Sequence, residues 1–247
     1  MTKLIYILSI YFFLFNQDVY TQQKQTTSDK SIKIGLLISN SKSTEAIQAA
    51  EMAIDNANKK VINNGFYFQL VVKSMEGSWG TGSKQAVDLI YKDNVWAILG
   101  SHDSKNAHLV EQVIAKMHTV FLSAWASDPT LSYANVPWFF SCVPNDNQQK
   151  VEMPTSENQF VKDYQKKYHQ APKAVASYAF DGMNILIEAI KNSNFNREKL
   201  QKKMTKTHYK GVTGLIEFDK NGSRLGRIDS IETKNEAMEF CLKQLDD

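Results

Sequence analysis

The chain has 247 residues, 43% hydrophobic and 22% charged, an ordinary globular composition that argues against a disordered or fibrous protein. Its formal net charge of +3 is spread along the sequence, and short runs such as Lys166-Lys167 and Lys202-Lys203 suit solvated helix faces. No basic stripe marks a nucleic-acid partner.

In chain order, Met1-Thr2-Lys3 precedes an apolar run from Leu4 to Phe15 that contains one serine, Ser9. A polar stretch and Val19-Tyr20-Thr21 follow. One cation, a short apolar core and a small residue at a cut site fit a cleaved signal peptide over residues 1–21. A transmembrane anchor needs nearer ~20 apolar residues. The expectation is therefore a periplasmic or otherwise exported protein with no membrane span in the mature chain. Residues 22–30, rich in Gln, Ser and Thr, read as a flexible lead-in.

From Ile32 to Ile38 a nearly continuous apolar run predicts a strand. Thr44 to Lys60 carries Ala46, Ala49, Ala50, Ala53, Ile54 and Ala57 at helical spacing on one face. Phe66 to Val72 reads as a second strand, Ser83 to Asp93 as a helix, and Val95 to Leu99 as a third strand ending at Gly100. A helix from Ser104 to Met117, with Ser104 as the candidate N-cap, leads to a fourth strand, Val120 to Leu122. Strands apolar on both faces and separated by helices predict a doubly wound α/β domain with a parallel sheet. Ligands of such sheets sit beyond the carboxyl ends of the strands.

Residues 145–155 are polar and follow Pro144, so they read as a linker between halves 31–144 and 156–232. Helices are expected over Glu157–Tyr168 and Val175–Asn192 and near Arg197–Met204. Gly214–Phe218 and Arg227–Ile231 then read as a hairpin whose turn, Asp219-Lys220-Asn221-Gly222, contains the Asn-Gly pair that tight turns favour. Residues 233–247 form a tail.

Three segments lie at the predicted ligand edge. Gly77 to Lys84 has the glycine spacing of a phosphate loop, but Ser83 and Lys84 stand in the wrong order to hold phosphate and magnesium. A flexible loop with Trp79 as an apolar wall is the better reading. Gly100-Ser101-His102-Asp103-Ser104 opens a helix, where backbone N–H groups and a hydroxyl suit a carboxylate. Simple capping by Ser104 is an equal alternative. Ser123-Ala124-Trp125-Ala126-Ser127-Asp128-Pro129 offers small residues and the Ser127 donor, with Trp125 either stacking on a ligand or packing beneath the loop.

His102 beside Asp103 lacks a nucleophile and the geometry of a catalytic pair, and the other histidines are scattered. Two cysteines, Cys142 and Cys241, permit one disulfide but no metal-ligand spacing. No enzyme, metal or cofactor is expected.

The strand Ser31 to Gly35, Lys84-Gln85-Ala86-Val87 leading to Ala97-Ile98-Leu99-Gly100, the serine four residues later and the 123–129 loop together resemble the branched-chain amino-acid (leucine/isoleucine/valine) binding proteins of ABC transporters. So do Tyr178-Ala179-Phe180-Asp181, with Tyr178 a further candidate ligand contact, and Gly211-Val212-Thr213-Gly214 running to Gly222. The resemblance keeps the family's order over residues 31–232. It implies a type I periplasmic-binding-protein lobe that takes an amino acid or similar small molecule and delivers it to a membrane ABC permease. By the same resemblance Ser104 would hold the ligand's α-carboxylate, with Ala126 and Ser127 completing that half-site.

Three departures stand out. The first loop lacks the family's aromatic, Lys173 stands where some members carry a tyrosine, and about a hundred residues, a small domain's worth, are missing at the linker. What remains resembles both halves of lobe one, a clamshell without its second shell. The alternative is an exported sensory or protein-interaction module on the same fold.

Overall fold

Residues 30–40, 43–59, 65–144 and 153–225 are described by the structure, a computed structural model, and those from Ser31 onward belong to one compact unit. Strand β1 (Ser31–Ile38) is buried without interruption from Ile34 to Ile38. A strand buried on both faces and both edges must lie inside a covered sheet. It does: β1 pairs in parallel with β2 (Tyr67–Ser74) on one side and β3 (Ala97–Gly100) on the other. Beyond β3 come β4 (Val120–Ser123) and β5 (Phe139–Ser141), giving the order β2-β1-β3-β4-β5, all parallel.

Alternation along the strands divides the core. Leu36, Leu99, Leu122 and Phe140 face helix α1 (Thr44–Lys59) and a long helix of the second half, α6 (Ala174–Asn192). Leu37, Ile98, Phe121 and Phe139 face α2 (Thr81–Tyr91) and α3 (Ser104–Met117). The alanine stripe of α1, buried at Ala46, Ala49, Ala50, Ala53 and Ala57, lets that helix approach the sheet and α6 closely. The remaining helices are the short α4 (Thr130–Tyr133), α5 (Gln159–Tyr168) and α7 (Leu200–Met204), the last preceded by a 3-10 turn at Arg197–Lys199. The predicted doubly wound α/β architecture is therefore present. The expected signal peptide, residues 145–152 of the expected linker, residues 233–247 and Cys241 lie outside the described residues.

Two expectations need correction. The sequence predicts no strand at Phe139–Ser141, because three residues are too short for a periodic signal. The second correction concerns the hairpin. Strand β7 (Gly214–Glu217) pairs antiparallel with β6 (His208–Gly211), upstream of it, through the turn at Val212 and Thr213. Of the four residues of β6 only Tyr209 is large and apolar, so the strand gives little pattern to read. The Asn-Gly turn does exist: the Asp219 carboxylate accepts from Asn221 N and Ser223 N at 2.8 and 2.9 Å. Among the described residues it returns Ser223 to Leu225 beside β7, and Arg227–Ile231 lie outside them.

That return also extends the sheet. Ser141 N donates to Gly222 O at 2.8 Å, and Ser141 bridges Ser223 in parallel. Gly222 has φ +80, and a Cβ there would overlap the carbonyl of Phe139, so only glycine fits this junction.

Candidate functional site

The carboxyl ends of β1, β3 and β4 converge, because parallel strands all emit their following loops on one side. At the end of β3 a Cβ on Gly100 would lie 2.8 Å from Leu37 Cβ and 2.9 Å from Leu37 O, so glycine lets β3 close against β1. The loop then ties itself down. Asp103 N donates to Ser101 Oγ at 3.3 Å, and that hydroxyl donates to Asp103 O at 2.9 Å.

Asp103, not Ser104, caps α3. Its backbone is extended, Oδ1 accepts from Asn106 N at 2.7 Å, and Oδ2 accepts from Asn106 Nδ2 at 2.8 Å. The expected capping role of Ser104 is therefore overturned: an aspartate one residue earlier takes the cap, as its acceptor geometry allows. Ser104 is the first helical residue, half-buried, and its hydroxyl has no partner among the described residues.

His102 joins three loops. Its Nδ1 accepts from Ser39 N at 3.2 Å, at the end of β1, and its ring stacks on Trp125 with centroids 4.0 Å apart and planes at 16°. Burial pushes its pKa down to about 4, so the ring is neutral near pH 7 with the proton on Nε2. Trp125 in turn donates Nε1–H to Val175 O at 3.2 Å, in the first turn of α6. Trp125 is thereby packed between His102 and the start of α6.

Ala126 is buried behind the loop, while Ser127 is half-buried with a hydroxyl that has no partner among the described residues. Both line a shallow depression shared with Asp128, Ser141 and Ser223. Thr130 donates to Asp128 from its side chain at 2.7 Å and its backbone at 2.9 Å, holding the Asp128 carboxyl below its ordinary range. Trp79, at 89% exposure, stands on the turn before α2 and walls nothing among the described residues. Tyr178 is buried on α6 near Arg224. Lys173 Nζ pairs with Glu45 at 3.1 Å, bridging the starts of α6 and α1. Ser104 and Ser127 thus lie on neighbouring loops of one edge, and Trp79 and Tyr178 occupy an exposed turn and a helix core.

Two polar clusters escaped the sequence reading. Asp181, fully buried, accepts from Val212 N at 2.9 Å, Thr213 N at 2.8 Å and Thr213 Oγ1 at 2.7 Å. Arg224 donates to Thr213 O at 2.6 Å, Leu215 O and Cys142 O at 2.9 Å, and Thr213 Oγ1 at 3.3 Å. Burial raises the Asp181 pKa, partly offset by its bonds from Thr213 and Val212 and by the Arg224 charge, and lowers that of Arg224, partly offset by Tyr178, Cys142 and Asp181 nearby. The cluster clamps α6, the β6–β7 turn and β5 together. Its signal was the pair of segments 178–181 and 211–214, whose resemblance was legible while their mutual contact was not. In the second cluster His108 lies 3.6 Å from Glu111 and 3.4 Å from Asp128; burial raises Glu111 to about 7. Cys142 is also buried, its thiol donating to Ser123 O at 3.3 Å.

Among the described residues no group of His, Cys, Asp and Glu could hold a metal ion, and no helix is long and apolar enough to cross a membrane. The arrangement offers hydroxyls and backbone groups for binding.

Residues 45–153 and 150–236 match the model of a family described as the receptor family ligand binding region. Glutamate receptor 3.4 of Arabidopsis thaliana is 31% identical over 100 residues, covering 40% of this chain and 10% of that protein. Glutamate receptor 3.7 of the same plant is 30% identical over 107 residues, covering 41% and 12%. The chain thus spans about a tenth of these curated relatives.

Among solved structures, the branched-chain amino acid transporter substrate binding protein LivJ of Streptococcus pneumoniae, in complex with isoleucine, superposes with TM-score 0.71 at 14% identity, over 78% of this chain and 93% of that one. The leucine binding protein LivK of Thermotoga maritima superposes with TM-score 0.68 at 13% identity, over 79% and 93%. At such identities the likeness is one of fold. Both of those structures are of binding proteins, the first a substrate binding protein and the second a leucine binding protein.

Proposed function

The chain belongs to the receptor family ligand binding region family, of the type I periplasmic-binding-protein kind, and from that premise we propose that it is an exported solute-binding protein reduced to one lobe, the amino-acid-type component of an ABC importer. The observation that carries this reading is the convergence of Ser104 and the Ala126-Ser127 loop on one sheet edge, with both serine hydroxyls free of protein partners among the described residues. Groups so placed are available to a small polar ligand, and a membrane permease would be the partner.

The reduction to one lobe is supported by the two family-model segments, which meet at residues 150–153, inside the predicted linker. It is supported also by the single parallel sheet among the described residues. Members of this fold trap ligands by hinge closure between lobes, which one lobe cannot perform. Binding is therefore weak, on the order of millimolar. Titration of the chain with free amino acids and small amides, read by tryptophan emission, is expected to saturate in that range and to fail in Ser104→Ala. Micromolar binding to the chain alone would contradict the one-lobe reading.

The second reading is an exported sensory or interaction module. It is favoured by the curated relatives, both glutamate receptors, and by the exposed Trp79 on the same edge. Under this reading the chain ignores the ligand panel, and Trp79→Ser weakens a protein contact instead.

A further inference from the structure

The amino ends of the strands form the opposite edge of the sheet, and the fold gathers there cations that are scattered in sequence. A helix that joins parallel strands must run back against them, so α1 and α3 end at this edge, with Lys59 and Lys116 in their last turns. Helix α6 runs the same way, its start tied to that of α1 by Lys173 and Glu45, and its last turn carries Lys191. The chain beyond α6 is then laid along the edge. Phe195 stacks on Phe66, ahead of β2, with ring centroids 4.4 Å apart. Arg197 donates Nη1–H to Asn94 Oδ1 at 2.7 Å and lies over the Trp96 ring, ahead of β3. Gln201 donates Nε2–H to Pro137 O at 2.8 Å, ahead of β5. Residues 195–201 therefore cross the sheet from β2 to β5, roughly 19 Å at about 4.8 Å per strand spacing.

Leu200 and Met204 are buried under this segment, which leaves Lys199, Lys202 and Lys206 exposed. None of the three makes an ion pair among the described residues. Glu198 is the one acid between Phe195 and Lys206. Cations in the last turn of a long helix offset its dipole, which accounts for Lys59, Lys116 and Lys191. The five-residue α7 carries little dipole, so the lysines around it crowd like charge without a use inside the fold. A surface of this sign is complementary to an extended anion.

Its form narrows the kind of anion. The aromatic rings of the edge are already covered: Phe66 by Phe195, Trp96 by Arg197, and Trp138 by His118 at 5.3 Å. None is open for the base stacking on which binders of single strands rely. Helix α7 is too short, and too firmly seated through Leu200 and Met204, to enter the groove of a duplex. The exposed cations are lysines, point charges on flexible stems rather than the planar forks that read a particular phosphate. Point charges spread over a broad edge match a plane of headgroup charge, and the half-buried Trp96 and Trp138 are of the ring type enriched at membrane boundaries.

We propose that the amino edge of the sheet, centred on Lys199, Lys202 and Lys206, is a docking surface for an anionic lipid membrane. Seated this way, the chain turns its carboxyl edge toward the solvent, with Ser104 and Ser127 open to a solute. The two edges lie at opposite ends of the strands, so this inference stands or falls apart from the solute-binding reading.

The test is co-sedimentation of the full chain at low salt with vesicles of phosphatidylcholine alone and of an equal mixture of phosphatidylcholine and phosphatidylglycerol. Two triple variants accompany the wild type. Lys199→Gln/Lys202→Gln/Lys206→Gln strips the amino edge, and Lys84→Gln/Lys105→Gln/Lys220→Gln removes the same charge at exposed positions elsewhere. Glutamine matches lysine in helix propensity, so both variants keep the fold. The apolar run Leu4–Phe15 is common to all three proteins and acts alike on either vesicle. The wild type is expected to prefer the mixed vesicles, and the amino-edge variant to bind them roughly a hundredfold more weakly, about fivefold per lysine removed. The other variant is expected to stay within about threefold of the wild type, and added salt to erase the preference. Equal wild-type binding to both vesicles overturns the proposal. So does an equal loss in the two variants, which traces binding to net charge and not to the edge. Tighter binding to a short DNA duplex than to the mixed vesicles, at equal phosphate, makes the edge a polynucleotide surface and overturns the lipid assignment.

Discussion

The clamp around Asp181 and the edge around Ser104 are both polar, yet they are built on opposite terms. In the clamp, Asp181, Thr213 and Arg224 hold one another and three backbone segments through bonds of 2.6–3.3 Å, all out of water. At the edge, Ser104 and Ser127 keep hydroxyls without partners among the described residues and are half-buried. A satisfied buried network stabilises the fold and leaves nothing for a ligand. An unsatisfied, partly open one contributes little to stability and is free to bind. Substitutions should separate the two regions cleanly.

The largest effect is expected in the clamp. Arg224→Met strips donors from the carbonyls of Cys142, Thr213 and Leu215 and leaves Asp181 without a cation, at a cost of about 3–5 kcal/mol by urea unfolding. A loss below about 1 kcal/mol would mean the clamp is ornamental.

Next comes the pH dependence that His102 imposes. Its pKa is 6.5 in the unfolded chain and about 4 in the fold, so between these values the unfolded state takes up a proton that the folded state refuses. The contribution is full above pH 6.5 and is lost as pH falls to about 4, amounting to roughly 3 kcal/mol. Glu111 acts with the opposite sign. Raised from 4.5 to about 7, it contributes fully below pH 4.5 and loses that contribution as pH rises to about 7. In urea titrations across this range His102→Gln should flatten the acid-side loss, and Glu111→Gln should deepen it. An unchanged slope in both variants would contradict the assignment.

A smaller loss follows at Trp125. Trp125→Phe keeps a ring over His102 but removes the bond to Val175 O, costing about 1 kcal/mol in the same assay. Ser104→Ala and Ser127→Ala lie at the bottom of the scale, within about 0.5 kcal/mol of wild type, because neither hydroxyl bonds to the protein among the described residues.

The same division governs what the sequence made legible. Parallel strands buried on both faces leave apolar runs that are read directly, and Ile32–Ile38 fell within one residue of the observed β1. Short elements carry too few residues for a period, which is why β5 and β6 went unread. Within the site, the strand ends located Ser104, Ala126 and Ser127 correctly on the carboxyl edge. The chain order could not say that Asp103 would take the cap from Ser104, or that Trp125 would turn its ring onto His102, since both depend on which acceptor lies nearest in three dimensions. Asp181 and Arg224 are 43 residues apart (224 − 181) and meet through Thr213, a contact no periodicity encodes.

The central claim, that the carboxyl edge is a surviving half-site, is tested most directly by thermal unfolding of the wild type and Ser104→Ala with and without amino acids and small amides at high millimolar concentration. The expected result is a ligand-dependent rise in the wild-type midpoint that is lost in Ser104→Ala, whose ligand-free midpoint is unchanged. A ligand at 100 times its Kd adds about 2.7 kcal/mol, a rise of roughly 5–10 °C for a domain of this size. A cooperative wild-type transition that no ligand moves would contradict the claim.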